Sequence, residues 1–182
     1  MTSQRILFIG GSGVISTSSV QLAVAQGHRV TVMNRGRSSS RALPEEVETL
    51  VADANDADAV AAAVGDREFD VVAQFRAFKP EQVAADIALF SGRTGQYVFI
   101  SSASAYQKPP TRVPVTESTP LRNPFWQYSR DKIAGEDLLV AAYRDAGFPA
   151  TIPYGGTSEP TTVYAATTPP SPIVTPGMTT AR

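Results

Sequence analysis

Short apolar runs alternate with longer amphipathic stretches along the first 150 or so residues. The run RILFIG at 5–10 is β-branched or aromatic almost throughout, which is typical of a strand buried on both faces. A helical stretch from about Val14 to Gln26 follows, and Gly27 is typical of a helix stop. HRVTVMN at 28–34 then predicts a second buried strand.

The same alternation continues to about residue 150 and predicts the rest of the fold. Further strands are expected at Glu48–Ala52, Phe69–Gln74 and Gln96–Ser101, with a last one starting near Ala150. Helices are expected at Ala57–Val64, Pro80–Phe90 and Trp126–Ala146. Strand–helix–strand units of this length favour right-handed crossovers, so residues 1–152 predict an α/β domain with a doubly wound parallel sheet.

The composition changes near residue 151. Residues 151–182 contain nine Thr and six Pro but only two charged side chains. Each proline removes a backbone donor, so a long helix or strand is not expected there. We predict an irregular or disordered Thr/Pro-rich C-terminal tail at 153–182; the alternative is an ordered tail docked through side chains such as Tyr154 and Ile173.

Charge and composition exclude several functions. Sixteen basic residues against seventeen acidic ones give a net charge of −1, which argues against nucleic-acid and anionic-membrane partners. The absence of cysteine and the single histidine argue against disulfides, thiol chemistry and a metal site. The apolar run at 6–9 is too short for a signal peptide or a membrane span, so a cytoplasmic location is expected.

The segment GGSGVIS at 10–16 lies between the first strand and the first helix. Gly10 permits a tight turn, and Gly13 allows a pyrophosphate to approach the positive end of the helix. Val14 and Ile15 follow at the helix start and are also expected cofactor contacts. A second strand about 20 residues later makes dinucleotide binding the favoured interpretation, with an ordinary strand-to-helix turn as the alternative.

The end of the second strand indicates which dinucleotide is bound. An acidic residue there accepts hydrogen bonds from the adenosine ribose, whereas a cation accommodates a 2′-phosphate. This chain has Asn34, Arg35 and Arg37 and no carboxylate, which favours NADP over NAD unless the arginines are only solvated. Asp53 is a candidate adenine contact or, alternatively, the N-cap of the next helix.

Tyr128 and Lys132 are four residues apart, so a helix presents them on one face. A phenol has a usual pKa of about 10 and needs a nearby cation to exchange protons at neutral pH. Lys132 can supply that charge. Ser102, just past the strand QYVFIS, can hydrogen-bond a substrate oxygen. Together they are candidate catalytic residues, although a Tyr and a Lys at this spacing are also common on helix surfaces.

Four segments in this order resemble the N-terminal part of an extended short-chain dehydrogenase/reductase, the NAD-dependent epimerase/dehydratase family. They are GGSGVIS at 10–16, FDVVAQFRAFK at 69–79, VFISSASAYQ at 98–107, and YSRDK at 128–132 preceded by TESTPLRNP at 116–124. The resemblance implies a Rossmann fold, Tyr128 as acid/base and a cofactor contact, Lys132 as its pKa partner and a ribose ligand, and Ser102 as the hydroxyl that aligns substrate. It also implies that Phe75 and Ala77 lie against the nicotinamide half of the cofactor.

The chain also departs from the family pattern. Ser16 stands where a third glycine is usual and is expected to crowd the helix against the strand. Arg76 and Ala77 replace small residues, which places a long cation near the cofactor or the substrate. Related enzymes continue beyond the sixth strand into a segment that binds a nucleotide sugar, and that segment is expected to be absent here.

These observations leave three hypotheses. The first is an NAD(P)-dependent epimerase, dehydratase or reductase acting on a small molecule, possibly a nucleotide-linked sugar, and possibly as a homodimer. The second is a truncated NAD(P)-binding module without catalytic turnover. The third is a truncated or frame-disrupted product whose tail was never selected to fold.

Overall fold

A computed structural model describes residues 2–36, 42–116 and 118–153. Its six-stranded sheet has the order β3-β2-β1-β4-β5-β6, and every pair of neighbours is parallel. The strands are β1 (Arg5–Ile9), β2 (Arg29–Asn34), β3 (Glu48–Val51), β4 (Phe69–Gln74), β5 (Thr94–Phe99) and β6 (Ala150–Thr151). The helices are α1 (Ser16–Ala25), α2 (Ala57–Val64), α3 (Pro80–Phe90) and α4 (Gln127–Ala146), with a short 3₁₀ turn at Ala103–Ala105. This confirms the predicted doubly wound α/β fold.

The strand order explains where a ligand can bind. The chain winds outward from β1 to β3 and then returns to place β4 beside β1, with Ile6 paired to Val71. Loops that leave β1 and β4 therefore run to opposite faces of the sheet and open a crevice at the carboxyl ends of these two strands.

The apolar run of β1 is buried on both faces, as its composition predicts. Leu7 and Ile9 belong to a core that includes residues from α2, α3 and α4. Ile6 and Phe8 belong to a second core that includes Val20 of α1. In a half-exposed strand, apolar and polar residues alternate. This central strand is continuously apolar because helices cover both of its faces.

Most element boundaries match the prediction within one residue, and two elements differ by more than that. The first helix begins at Ser16 rather than near Val14, because the preceding residues form the glycine turn. β5 begins at Thr94, two residues before the predicted start, because Thr94 pairs with Phe69 of β4. The predicted tail lies outside the described residues, apart from its first residue. No helix in the described part of the chain is long and apolar enough to cross a membrane.

Candidate active site

A serine closes the glycine turn after β1. Gly10 has φ +87°, a conformation that glycine adopts without strain, and its N–H donates to Met33 O over 2.9 Å. The Ser16 hydroxyl donates to Gly10 O over 2.7 Å and accepts from Gly13 N over 3.0 Å. Ser16 is buried, and its hydroxyl holds the turn together. The expectation that it crowds the helix against the strand stays a prediction.

The first two glycines of the turn are closely packed, for different reasons. A Cβ on Gly11 would lie 2.8 Å from Val32 Cγ2 and 3.0 Å from Phe8 Cβ, so this position needs glycine for packing against β1 and β2. A Cβ on Gly10 would lie 2.3 Å from Arg76 Cγ. Sequence reasoning did not single out Gly11, because its neighbours come from the folded sheet.

A cavity of about 210 Å³ opens beside this turn. Its lining combines residues at or just past the carboxyl ends of four strands: Gly10, Ser12, Gly13, Met33, Asn34, Arg35, Ala52, Asp53, Ala54 and Arg76. Five of the predicted cofactor-binding residues are in this set. Val14 and Ile15 are not, and their side chains are 69% and 73% exposed at the start of α1. Arg37 lies outside the described residues.

Asp53 is held at the cavity by its neighbour. Its Oδ1 accepts from Asn55 N over 3.0 Å and from Asn55 Nδ2 over 2.7 Å. These hydrogen bonds lower the pKa of Asp53, and the charges of Arg35 and Arg76 lower it further. The N-cap of α2 is Asp56, whose Oδ1 accepts from Ala59 N over 3.0 Å. The alternative in which Asp53 caps this helix is therefore wrong.

The segment after β4 is anchored by a buried glutamine. Gln74 Oε1 accepts from the backbone N–H groups of Arg76 (2.7 Å) and Ala77 (3.1 Å), and its Nε2 donates to Asp86 Oδ2 over 2.6 Å. Tyr97 OH donates to the same Asp86 oxygen over 2.6 Å. Burial raises the pKa of Asp86 to about 6. This buried network fixes the path of the segment that contains Ala77.

Phe75 and Ala77 occupy different positions in this segment. The Phe75 ring is stacked on Phe8, with 6.3 Å between ring centres, and is only half-buried. Ala77 is buried, and its carbonyl accepts from Lys132 Nζ over 2.8 Å. Neither side chain lines the cavity described above, so their expected contact with a nicotinamide stays a prediction.

Lys132 joins the ends of two neighbouring strands. Besides Ala77 O, its Nζ donates to Ile100 O over 2.7 Å, just past β5. The residue is buried, and Nζ lies 4.4 Å from the centre of the Phe99 ring and 5.9 Å from that of Tyr128. Burial lowers the pKa of Lys132 to about 8, although the charge of Glu136 raises it. An ammonium group is thus held beside the tyrosine ring.

Tyr128 lies at the start of α4 in an aromatic cluster. Its ring centre is 6.1 Å from that of Phe78 and 4.8 Å from that of Trp126. The residue is half-buried, and its hydroxyl has no hydrogen-bond partner among the described residues. A phenol that is fixed by its ring and unpartnered at its oxygen can hydrogen-bond a ligand.

Ser102 is connected to α4 through other hydroxyl groups. Its Oγ accepts from Ser104 N at the start of the 3₁₀ turn and lies 2.8 Å from Ser104 Oγ. Ser129 Oγ donates to Ser104 Oγ over 2.8 Å, and Ser129 directly follows Tyr128. The structure therefore brings Ser102 to the same edge of the sheet as Tyr128 and Lys132, without a direct hydrogen bond between Ser102 and Tyr128.

Glu136 and Ser101 form a pair that sequence reasoning missed. Glu136 is buried one turn after Lys132 on α4, and its Oε1 accepts a hydrogen bond from Ser101 Oγ. Its other oxygen, Oε2, is buried with no hydrogen-bond partner in the described part of the chain. Burial raises the pKa of Glu136. The spacing of four between Lys132 and Glu136 was the available signal.

The residues present fit a dinucleotide. The cavity is adjacent to the start of α1, whose N-cap, Ile15, provides no side-chain hydrogen bond, so N–H groups remain for a phosphate. A Cβ on Gly13 would meet only Ser16 Oγ at 3.2 Å and Gly10 O at 3.7 Å, so its other side is open for a close approach. No group of three or more metal-binding side chains occurs among the described residues.

Comparison with known proteins agrees with this geometry. Residues 6–167 match the model of the NAD dependent epimerase/dehydratase family. The chain is 27% identical to a UDP-glucose 4-epimerase of Lactobacillus helveticus, over 81% of this chain and 49% of the relative.

Two solved structures share the fold. An epimerase of Methanothermobacter thermautotrophicus matches with a TM-score of 0.72 and 16% identity, over 82% of this chain and 50% of that one. A dTDP-glucose 4,6-dehydratase of Bacillus anthracis, in complex with NAD, matches with a TM-score of 0.69 and 16% identity, over 82% of this chain and 54% of that one. The chain thus spans about half the length of these proteins.

Proposed function

Because the chain belongs to the NAD dependent epimerase/dehydratase family, we propose that it catalyses hydride chemistry on a nucleotide-linked sugar with NAD or NADP. The reaction is an epimerisation, a dehydration or a reduction. Its catalytic residues in this proposal are Ser102, Tyr128 and Lys132.

The observation that carries the proposal is the position of Lys132. Its ammonium group is buried, bonded to two backbone carbonyls, and 5.9 Å from the centre of the Tyr128 ring. A buried cation and a phenol ring therefore lie together at the edge of the sheet where Ser102 also lies, which is the set of groups that the proposed proton transfer uses. The Tyr128 hydroxyl is unpartnered within the described residues, which suits a group that exchanges a proton with a substrate.

Each residue has a distinct role in the proposed step. Tyr128 takes the proton from a substrate hydroxyl, or returns it, while Lys132 stabilises the phenolate form. Ser102 donates a hydrogen bond to the same substrate oxygen and so orients it. When bound, NAD or NADP would accept or supply the hydride. The cofactor would be held by Gly10, Gly13, Asn34, Arg35 and Asp53. Further predicted contacts are Val14, Ile15, Phe75, Ala77, Tyr128 and Lys132.

The choice between NAD and NADP depends on Arg35. It lines the cavity next to the uncharged Asn34, whose Oδ1 accepts from Gly36 N over 2.9 Å. A guanidinium there favours a 2′-phosphate, so we propose a preference for NADP. The substrate class follows from the name of the Lactobacillus helveticus relative, a UDP-glucose 4-epimerase. A cytoplasmic location, a homodimer and the absence of a nucleic-acid partner stay predictions from the sequence.

The proposal is tested by binding followed by turnover. Purified protein is titrated with NAD and NADP by calorimetry, and then incubated with the bound cofactor and a panel of nucleotide-linked hexoses. Product formation that falls about 10²- to 10⁴-fold in Tyr128→Phe, measured with the variant saturated with cofactor, supports the assignment. Binding without turnover on any sugar supports the alternative, an NAD(P)-binding module, and binding of neither cofactor contradicts both.

A further inference from the structure

Arg76 is a cation in no salt bridge within the described residues, although its charge acts on Asp53 across the cavity. It lies two residues beyond the end of β4 and is half-buried. Its aliphatic stem contacts Gly10, since a Cβ on Gly10 would lie 2.3 Å from Arg76 Cγ and 2.9 Å from its Cδ. Its guanidinium carbon lies 4.9 Å from the centre of the Phe78 ring. That guanidinium makes neither a hydrogen bond nor a salt bridge to any described residue.

The strand order places Arg76 and Arg35 on opposite sides of the glycine turn. Arg35 follows β2 and Arg76 follows β4, and β1, which leads into the turn, lies between these strands. Both arginines line the 210 Å³ cavity. Arg35 therefore lies on the side of β2 and β3, and Arg76 lies next to Gly10, the first residue of the turn.

The charge of this cavity suits an anionic ligand. Asp53 is the carboxylate in its lining, against two guanidinium groups, so the lining carries one net positive charge. A guanidinium has five N–H donors in a planar fork that matches two phosphate oxygens. The donors of Arg76 are held near the cavity by packing on Gly10 and Phe78, and they lack acceptors among the described residues.

We propose that Arg76 binds the diphosphate of NAD or NADP, while Arg35 lies on the side of the 2′-phosphate. The diphosphate is assigned to Arg76 because its stem rests on Gly10, where the turn and the start of α1 leave room and donors for that group. The inference rests on the cofactor site of the proposed function and adds to it an arginine that contacts the phosphates shared by both cofactors.

The test compares Arg76→Gln with Arg35→Gln in the whole chain. Glutamine at position 76 keeps part of the stem on Gly10 and removes the charge. Affinities for ADP, NAD and NADP are measured by calorimetry. Arg29→Gln is the matched control, because Arg29 is exposed at the opposite end of β2 and its replacement removes one charge. Thermal unfolding of each variant shows that it is folded.

Arg76→Gln is expected to weaken ADP, NAD and NADP alike, by roughly 10- to 100-fold, as expected for a lost charge-assisted hydrogen bond. The ratio of NADP to NAD affinity should not change in this variant, whereas Arg35→Gln should lower that ratio. Arg29→Gln should bind all three ligands like the unchanged protein.

Two results overturn the inference while the proposed function stands. One is unchanged or tighter binding of all three ligands by Arg76→Gln, and the other is a loss confined to NADP. If the unchanged protein binds none of the three ligands, the inference and the proposed function fail together. If binding depends on Arg76 but no sugar is converted, only the proposed catalysis fails.

Discussion

The Ser16 hydroxyl and the Gly10 carbonyl are 2.7 Å apart, and this bond closes the turn that begins the candidate cofactor site. The same hydroxyl accepts from Gly13 N, so one buried side chain satisfies a backbone acceptor and a backbone donor. An intramolecular hydrogen bond of this kind adds about 0.5–1.5 kcal/mol to stability. Ser16 therefore stabilises the turn in a way that a third glycine, which has no side-chain hydroxyl, does not.

Ser16→Ala is expected to lower the free energy of unfolding by about 1–3 kcal/mol, because Gly10 O and Gly13 N lose their shared partner. Urea denaturation measures this change. Ser18→Ala is the control, since Ser18 is exposed on the same helix and alanine suits a helix at least as well. Equal stability of the two variants would show that Ser16 does not hold the turn.

Asp86 predicts an unusual pH dependence of stability. Its pKa is raised by burial to about 6, so the folded state binds a proton that the unfolded state releases near pH 4. Stability from this group is fully present below the unfolded pKa and is lost as pH rises through about 6. The free energy of unfolding falls by about 3 kcal/mol in total as pH rises from below about 4 to above about 6.

Asp86→Asn should remove this dependence, because an amide stays neutral and its oxygen can still accept from Gln74 and Tyr97. The measurement is the free energy of unfolding at several pH values between the two limits, in the variant and the unchanged protein. Asp66→Asn, at an exposed position, should keep the slope of the unchanged protein. If the free energy of unfolding changed with pH equally in Asp86→Asn and the unchanged protein, the prediction would be contradicted.

Glu136→Gln should shift the titration of Lys132. The charge of Glu136 raises the pKa of Lys132, which burial has lowered to about 8, so removing that charge lowers this pKa further. The lysine amine, followed by NMR as a function of pH, should titrate at lower pH in the variant. The alkaline limb of the proposed activity should move in the same direction, because it needs the charged lysine.

Asp137→Asn is the matched control for this shift, since Asp137 is the exposed neighbour of Glu136. It removes one negative charge from the same helix and should leave the lysine titration in place. An unchanged Lys132 titration in Glu136→Gln would mean that Glu136 has only a structural role beside Ser101.

Alanine substitutions at Gly11 and Gly13 should show which glycine is needed for packing of the turn and which is needed for cofactor binding. Gly11→Ala forces a Cβ to within 2.8 Å of Val32 Cγ2, so it should destabilise the protein by about 1–3 kcal/mol. In Gly13→Ala the Cβ would lie 3.2 Å from Ser16 Oγ and 3.7 Å from Gly10 O, so this variant should lose less stability than Gly11→Ala but bind cofactor more weakly. Thermal unfolding and calorimetric titration measure the two effects. Equal losses of stability would refute the distinction.

Local sequence was sufficient to predict the fold because most of its signals act over short distances. Gly27 is predictable because its positive φ suits glycine, and β1 is predictable because an apolar run favours burial. The observed strands and helices lie within a few residues of their predicted limits. The start of α1 was missed because Ser16 bonds back to Gly10 across the turn, which a search for helical periodicity does not detect.

The candidate site was predicted only in part. Residues at or just past the ends of strands, such as Gly10, Asn34 and Asp53, were expected together because parallel strands end at one edge of the sheet. The contact of Arg76 with Gly10 and the pair of Ser101 with Glu136 depend on which strands are neighbours and on how α4 packs. Spacing along the chain does not determine such contacts, so these contacts became evident only in the folded structure.

The two carbonyls that bind Lys132 also determine what its titration does to the protein. A neutral amine keeps two N–H donors, enough for both Ala77 O and Ile100 O. Loss of the proton near pH 8 therefore removes a charge beside Tyr128 without requiring the side chain to move. The site can change its electric field while its atoms stay in place, so crystal structures on either side of this pH should look alike even where reactivity differs.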